Sequence, residues 1–460
     1  MNSAGSKSFE VLGLAPAGLA QPSLAVACAR SGGTGILDLE FCADDHARAQ
    51  FQQLRDQSSG AIGLRFTAAQ LGLAQALIAE APGRPLTLVL AGGDAAKLAA
   101  KLPKNEYLRV LAEITSAELP KATHIHGWIA VGHEAGGWVG DDTSYILLQK
   151  LAGKTELPLF VRGGTGVRSA AACRVAGAAG VVLDDQLLLL AESPLAEATQ
   201  NEFARLNGAE AKLFGELLNQ PCRAYARPGS PALKAAEQDT RLAEGGELDT
   251  AAWRRKLAAQ LGWGEGQLMP LGQGIGLAAI YRKQYGNVAR LIQALRRASL
   301  KQLDQAAGLA FLDEGGPMAA AHNTRFPLVQ GPMTRVSDTP AFAVEVAKGG
   351  ALPLLALALM RGPQVAQMLA ETKAKIGDQP WGVGMLGFVP KELRDEQCAE
   401  VWKCPPPFAL IAGGRPDQAA EFEQRGITTY IHAPAPALLK IYLEQGARRF
   451  VFEGRECGGH

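Results

Sequence analysis

The sequence predicts an α/β fold: one complete TIM-type (β/α)8 barrel followed by a partial second barrel. Short apolar runs alternate with longer helical patterns through residue 200, and the landmarks of this first part recur after residue 326. Runs that are apolar on both faces and alternate with helices indicate parallel strands covered by helices. About eight such units close into a barrel, and a doubly wound open sheet is the alternative.

The strand candidates are apolar runs of four to six residues in most cases, with helix patterns such as 23–30 and 67–80 between them. In the first copy they are 11–14, 35–39, 61–66, 86–91, 109–114, 128–131, 157–162 and 180–183. In the second copy they are 328–330, 352–356, 382–387, 408–411, 429–431 and 450–452. A sheet that ends there exposes an edge, so we expect this chain to be part of a longer polypeptide or to be completed by another one.

A repeated motif supports the duplication. Residues 132–138 read GHEAGGW and residues 454–460 read GRECGGH, each after an apolar run. A Gly-Gly turn precedes each motif at a similar separation, 102 positions from Gly32 to Glu134 and 107 from Gly349 to Glu456. The two copies differ at the last position of the motif, where the first has Trp138 and the second has His460.

The periodicity divides the chain into three segments. Residues 9–200 form the first barrel, and residues 326–460 form the N-terminal part of the second. Residues 201–320 are predicted to be the helical C-terminal part of the first barrel and a linker, with amphipathic helices over 203–218 and 288–311. Proline, glycine and charges over 227–250 are typical of a loop.

Composition excludes several classes of protein. The net charge of +1 gives no basis for a nucleic-acid or membrane partner, and no apolar run is long enough to span a bilayer. Seven cysteines without a Cys-x-x-Cys pair disfavour a disulfide framework and a zinc site. The N-terminus lacks a basic stretch followed by a long apolar run, so the sequence does not predict secretion. The expected location is the cytoplasm.

Five short motifs stand in an order typical of one enzyme superfamily. The second copy has QGPM at 330–333, GG at 349–350 and ECGGH at 456–460. The first has PLFVRGGTG at 158–166, similar to a phosphate-binding strand and glycine turn, and PLGQ at 270–273, similar to a flavin-side segment. Together these motifs resemble the FMN-dependent nitronate monooxygenases, formerly called 2-nitropropane dioxygenases, and the enoyl reductases of that superfamily.

The resemblance implies an FMN-dependent oxidoreductase. Its implied catalytic residue is His460, an acid or base beside the flavin. The implied cofactor-binding residues are Gly331, Pro332, Met333, Gly458 and Gly459 in the second copy, and Gly163, Gly164, Thr165 and Gly166 in the first. A tandem arrangement resembles the N-terminal parts of polyketide and polyunsaturated fatty-acid synthases. It therefore implies an enoyl thioester substrate, with an alkyl nitronate as the alternative, and acyl carrier protein or downstream synthase domains as partners.

The glycine turn at 163–166 also has a physical interpretation of its own. It follows an apolar strand and precedes a helix pattern, so its backbone N–H groups could approach a phosphate. A tight turn without a ligand is the alternative. Asp184 and Asp185 stand where the family has a small Gly-Thr pair, and two carboxylates would repel a phosphate unless a cation such as Arg162 offset them.

The first copy is therefore predicted to be non-catalytic, because Trp138, the two aspartates and the missing QGPM turn all depart from the family pattern. In the second copy Gly384 departs from the asparagine that relatives have, which puts hydrogen bonding to substrate or flavin in doubt. A different hypothesis for the whole chain is a scaffold or docking barrel without flavin.

Three further groups are weaker candidates. His124, His126 and His133 lie close in sequence but lack acidic or thiol ligands at suitable spacing, so we predict no metal site. His432 follows a strand and is either a satisfied residue at the barrel mouth or part of the same pocket. Cys457 is expected to be a small packing residue.

Overall fold

The chain folds into two compact units, one ending at Gln305 and the other beginning at Ala306. The structure, a computed structural model, describes residues 9–93, 95–309 and 311–454 together with Cys457. The first unit contains a closed barrel of eight strands, and the second an open sheet of six parallel strands in barrel order. The predicted fold class is confirmed.

The first barrel is built from parallel strands and the helices that follow them. In chain order its elements are β1 (Glu10–Pro16), α1 (Ser23–Arg30), β2 (Thr34–Asp38), α2 (Asp44–Gln57), β3 (Ala61–Phe66), α3 (Leu71–Ala79), β4 (Leu86–Leu90), α4 (Ala95–Ala99), β5 (Leu108–Ile114), β6 (Gly127–Val131), β7 (Gly137–Trp138), α5 (Ser144–Leu151), β8 (Leu159–Arg162), α6 (Ser169–Val175) and β9 (Gly180–Leu183). The barrel order is β1-β2-β3-β4-β5-β6-β8-β9, and β9 pairs with β1 to close it.

The strands form because both of their faces are buried. Alternate side chains of a strand point to opposite faces. Those facing the barrel interior make one apolar cluster that includes Leu12, Ile36, Val89, Leu111, Ile129, Phe160 and Val182. Those facing outward pack with the helices in a second, larger cluster. This is why all eight strand candidates are confirmed, each with bounds within two residues of those expected.

The rest of the first unit extends this barrel. Its elements are α7 (Glu197–Phe203), β10 (Ala211–Phe214), β11 (Cys222–Tyr225), α8 (Pro231–Glu244), α9 (Thr250–Gln260), α10 (Ile275–Gln284) and α11 (Val288–Ala307). Strands β10 and β11 form an antiparallel sheet with β7, in which Cys222 pairs with Trp138.

Two local expectations in this region were wrong. The helix expected over 203–218 is instead the end of α7 followed by β10, because β10 pairs with β11 across a turn. The loop expected over 227–250 contains α8. Ser230 caps this helix by accepting a hydrogen bond from the backbone N–H of Leu233 at 3.3 Å, and Pro231 is its first residue. Serine and proline here mark the start of a helix.

The second unit repeats the strand–helix plan. Its elements are α12 (Pro317–His322), β12 (Val329–Gln330), α13 (Pro340–Lys348), β13 (Leu352–Ala356), α14 (Gly362–Ile376), β14 (Gly382–Leu386), α15 (Lys391–Lys403), β15 (Phe408–Ala412), α16 (Pro416–Glu423), β16 (Thr428–Ala433), α17 (Pro436–Glu444) and β17 (Phe450–Phe452). The strands pair in sequence order. All six strand candidates are confirmed, and the segment 319–322 belongs to α12.

Helix α12 packs on the interior face of this sheet. His322 is buried, with its Nε2 atom 2.7 Å from the Tyr430 hydroxyl and its ring centroid 5.2 Å from that of Phe408. Leu354 and Leu410 belong to the same interior cluster as Phe408. Among the helices of the described ranges, none combines the length and apolarity that crossing a bilayer requires.

Candidate functional site

A chain of ion pairs lines the C-terminal mouth of the first barrel. The Arg65 guanidinium lies 3.0 Å from Asp38 and 2.7 Å from Glu40, and it makes two hydrogen bonds to Glu113 at 2.8 and 2.9 Å. Arg162 Nη1 donates at 3.1 Å to Glu113 Oε1, the oxygen that also accepts from Arg65 Nε. The side chains of Arg65, Glu113 and Arg162 are only 6–7% exposed, so water screens these charges weakly.

The pKa directions in this network follow from burial and charge. Burial alone would raise the pKa of Glu113, but Arg65 and Arg162 outweigh it and hold that pKa below its usual value. For Glu40, burial is the larger influence and raises the pKa, although Arg65 opposes it. Glu113 therefore stays ionised between two guanidinium groups and links them.

Arg162 is the cation expected to offset the charges of Asp184 and Asp185. Its Nε atom donates to Asp184 at 3.0 Å, so the cation expected to offset these carboxylates is already paired with one of them. Asp185 instead accepts a hydrogen bond from the Gly272 N–H at 2.6 Å. Burial raises the pKa of Asp185 well above its usual value, and the nearby Asp184 charge adds to the rise.

Asp185→Asn should make the fold more stable at alkaline pH, because it removes a buried carboxyl group whose ionisation destabilises the folded state. A carboxyl group whose pKa is raised on folding stabilises the fold while protonated, and this contribution is lost as the pH rises through the folded-state pKa. Asparagine stays neutral and can still accept from Gly272. We expect the variant to unfold at higher urea than the wild type at mildly alkaline pH, with little difference at acidic pH. Equal pH profiles for Asp185→Asn and for Asp141→Asn, an exposed control, would contradict this.

Two backbone N–H groups at the C-terminal end of the predicted phosphate turn donate to side chains of the protein. The N–H of Gly166 donates to Ser169 Oγ at 2.8 Å, and that of Val167 donates to the Tyr281 hydroxyl at 3.0 Å. Tyr281 lies on α10, and its hydroxyl would be only 2.2 Å from a Cβ added at Gly166. A side chain of the protein therefore fills the space beside this turn.

The other groups around this turn are occupied in the same way. Glu134 packs against Gly163 and Gly164, and its carboxylate accepts hydrogen bonds from Ser144. The Thr165 hydroxyl donates to the Val182 carbonyl at 3.1 Å. The next strand end is similar, since the N–H groups of residues 184 and 185 donate to Gln186 and Asp184 side chains at 2.8 and 2.9 Å. The Thr165 hydroxyl and the N–H groups of residues 166, 167, 184 and 185 therefore make contacts within the protein, which leaves fewer donors for a phosphate group.

Trp138 occupies the position that corresponds to His460. It lies in β7, and the Arg254 guanidinium stacks over its ring at 3.9 Å from the ring centroid. Arg254 also donates to the Gln220 carbonyl at 3.2 Å. The indole ring of Trp138 has no group that titrates near neutral pH and cannot act as an acid or base, as expected for a non-catalytic first barrel.

The mouth of the second unit differs, because its turn after β12 is open. Among the described residues, no atom beyond the two chain neighbours of Gly331 lies within 4 Å of a Cβ added there, and Met333 is 44% exposed. Ser337 fixes the turn, since its Oγ atom accepts from the Met333 N–H at 2.6 Å. The exposed thioether and the open glycine backbone fit a flat ring. They fit the ring portion of FMN.

Gly384 has a structural reason to be glycine. A Cβ added there would lie 2.1 Å from Cβ of Pro332, so the turn packs directly on the backbone of β14. Any side chain at this position must displace Pro332.

Two further side chains lie at the C-terminal ends of β16 and β17. His432 Nδ1 is 3.2 Å from Glu453 Oε1, and the two side chains are 12% and 21% exposed. His432 was a candidate from the sequence, whereas Glu453 was not. Gly458, Gly459 and His460 lie outside the described residues, and Cys457 is exposed.

The charged residues that sequence reasoning missed share one signal. Arg65 is the one charge in β3, and Glu113 is one of two charges, with Arg109, in the otherwise apolar β5. Such a charge has to find a partner across the barrel. The candidate metal histidines have other roles: His126 Nδ1 accepts from the Val110 N–H at 2.9 Å, and His133 Nδ1 lies 2.8 Å from the Gly140 carbonyl.

Comparisons with solved structures find barrels of the same kind. FabK from Thermotoga maritima matches with a TM-score of 0.53 and 19% identity, over 65% of this chain and 96% of that chain. The enoyl reductase domain of MlnA from the macrolactin biosynthesis cluster of Bacillus amyloliquefaciens matches with a TM-score of 0.49 and 10% identity, over 65% and 95%. A nitroalkane oxidase from Streptomyces ansochromogenes matches with a TM-score of 0.44 and 18% identity, over 65% and 97%.

No protein-family model and no curated protein sequence matches this chain. At 19% identity the likeness to FabK shows a shared fold. The fold expected from the sequence resemblance is thereby confirmed.

Proposed function

We propose that this chain is an FMN-dependent oxidoreductase segment of the nitronate monooxygenase and enoyl reductase superfamily, with its redox site in the second unit. The observation that carries the proposal is the contrast between the two mouths. In the first, Glu113 is paired with Arg65 and Arg162, and Tyr281 takes up the space beside Gly166 of the glycine turn. In the second, the turn around Gly331 and Met333 is open.

The residues of the second unit would position the cofactor and the substrate. Bound FMN would supply hydride transfer, which no amino-acid side chain can perform. Met333 and the Gly331 backbone would lie against the ring, and Ser337 would keep the turn in place. His460 would act as an acid or base, since histidine changes charge near neutral pH. Gly458 and Gly459 would allow close approach of the backbone.

The substrate that we propose is an enoyl thioester, with an alkyl nitronate as the second candidate. The tandem resemblance to synthase N-terminal parts favours the thioester. Acyl carrier protein or downstream synthase domains would then be the partners. The first barrel would be a non-catalytic body, because the charged residues of its mouth are paired with one another and Trp138 stands in place of the histidine.

Gly331→Val should weaken FMN binding by at least about tenfold, which corresponds to ~1.4 kcal/mol, because the new side chain occupies the space proposed for the ring. The measurement is quenching of FMN fluorescence by the full chain, together with the visible spectrum of the purified protein. Gly93→Val is the matched control, since Gly93 also has open space but lies in the first barrel.

The outcomes separate the two functions considered for this chain. Flavin absorption that is retained by wild type and Gly93→Val but weakened in Gly331→Val supports the proposal. A colourless wild type that does not quench added FMN would reject it and favour the scaffold. Equal weakening of FMN binding by both substitutions would show that the flavin does not bind at the turn of the second unit.

A further inference from the structure

We infer that His432 and Glu453 form a proton-transfer pair at the mouth of the second unit, in which His432 exchanges a proton with the bound substrate and Glu453 orients it. This inference rests on the proposed function and deepens it, because it adds a proton-transfer residue to His460. The sequence resemblance assigns no role to either residue.

The strand register places both side chains on the same face of the sheet. Strands β16 and β17 are parallel neighbours, with His432 paired to Val451. Tyr430 and Val451 belong to the interior cluster. Because alternate residues of a strand share a face, His432 lies on the face of Tyr430, and Glu453 continues the face of Val451 beyond the end of β17.

Both side chains lie at the end of the sheet where β/α barrels carry their functional groups. His432 is the fifth residue of the six in β16, and Glu453 directly follows β17, so both lie at the C-terminal ends of their strands. Functional groups of β/α barrels stand at these ends. The opposite end of the same strand pair holds Arg449 and Glu423, whose surface ion pair at 2.8 Å serves as a structural comparison.

The contact between the two side chains suits proton transfer. His432 Nδ1 lies 3.2 Å from the Glu453 carboxylate, which favours the tautomer with a proton on Nδ1 and makes Nε2 the atom that exchanges protons. The Glu453 carboxylate would also stabilise the protonated imidazole, which is the form that donates the proton to the substrate. At 12% exposure, the imidazole is partly shielded yet can be recharged from water.

The step is balanced for an enoyl thioester. The β-carbon would receive a hydride from reduced flavin, the reductant of the proposed function. The electron pair of the C=C bond moves to the α-carbon and takes the proton from His432 Nε2. The imidazolium becomes neutral imidazole and the thioester becomes saturated. Water then returns a proton to Nε2.

The test uses the full chain with bound FMN, reduced by dithionite without oxygen and mixed with crotonyl-CoA as the enoyl thioester. His432→Asn can keep a hydrogen bond to Glu453 but cannot transfer a proton. We expect flavin reoxidation to slow by about 10²–10⁴-fold while FMN absorption and affinity stay unchanged. Arg449→Gln is the control on the same strands, and its rate should equal that of wild type.

Two readouts distinguish chemistry from a structural role. Added imidazole should restore part of the rate in His432→Ala, which a structural defect would not allow. In flavin-free chain labelled with ¹⁵N-histidine, the proton of neutral His432 should reside on Nδ1 in wild type and distribute over both nitrogens in Glu453→Ala.

Each result decides the inference. Unchanged reoxidation in His432→Asn, or mixed tautomers in wild type, would overturn it while leaving the proposed function intact. A chain that binds no FMN would overturn both. Slow reoxidation of His460→Ala with normal His432→Asn would assign the proton transfer to His460 alone.

Discussion

Replacement of Glu113 by alanine is expected to destabilise the first unit by about 3–5 kcal/mol, the cost typical of removing one partner from a buried ion pair. Glu113 accepts a hydrogen bond from Arg65 at each of its two carboxylate oxygens and another from Arg162 at Oε1. Without it, two buried guanidinium groups face each other. Burial lowers the pKa of Arg65, but Asp38, Glu113 and Glu40 outweigh it and raise that pKa above its usual value, so this residue cannot escape by losing its proton.

Hydrogen-exchange mass spectrometry is the suitable measurement, because it reports peptides of the two units separately. We expect faster exchange in β3, β5 and β8 and unchanged exchange in the second unit. Glu118→Ala is the matched control, since Glu118 is an exposed carboxylate a few residues further along the chain. Its effect should stay within about 0.5 kcal/mol. If both variants cost the same, the ion-pair chain does not stabilise the mouth.

The barrel could be predicted because its strands are buried on both faces. A run such as Gly180–Leu183 must be apolar along its whole length, and this pattern can be recognised without knowledge of any partner. The antiparallel sheet was missed for the opposite reason. Strand β11 is held by pairing Cys222 with Trp138, 84 positions earlier, and short strands carry little local signal.

The candidate site was predictable only in part. The departures at Trp138, Asp184 and Asp185 predicted an altered first mouth, and the structure shows Arg162 paired with Asp184. What fills the glycine turn could not be predicted, because Tyr281 reaches Val167 from a helix 114 positions away. Local patterns give the faces of an element but not which distant side chain meets it.

Gly384 illustrates how structure changes the meaning of a sequence difference. From the resemblance, glycine in place of asparagine suggested a lost hydrogen bond to substrate or flavin. In the fold, the missing side chain provides the space for Pro332, since an added Cβ would lie 2.1 Å from it. The glycine therefore belongs to the packing of the QGPM turn.

Gly384→Asn should consequently destabilise the second unit by about 1–3 kcal/mol, the usual cost of overpacking, and should displace the turn that carries Met333. Pro332→Gly removes the atoms that collide, so the double variant should lose less stability than the sum of the two single variants, as expected for residues in contact. Urea unfolding followed by hydrogen exchange of the second unit measures this.

FMN affinity should fall in Gly384→Asn, because the displaced turn no longer presents Met333 to the ring. Additive stabilities would show that Pro332 and Gly384 do not constrain each other, and an asparagine variant with improved FMN affinity would restore the hydrogen-bonding interpretation.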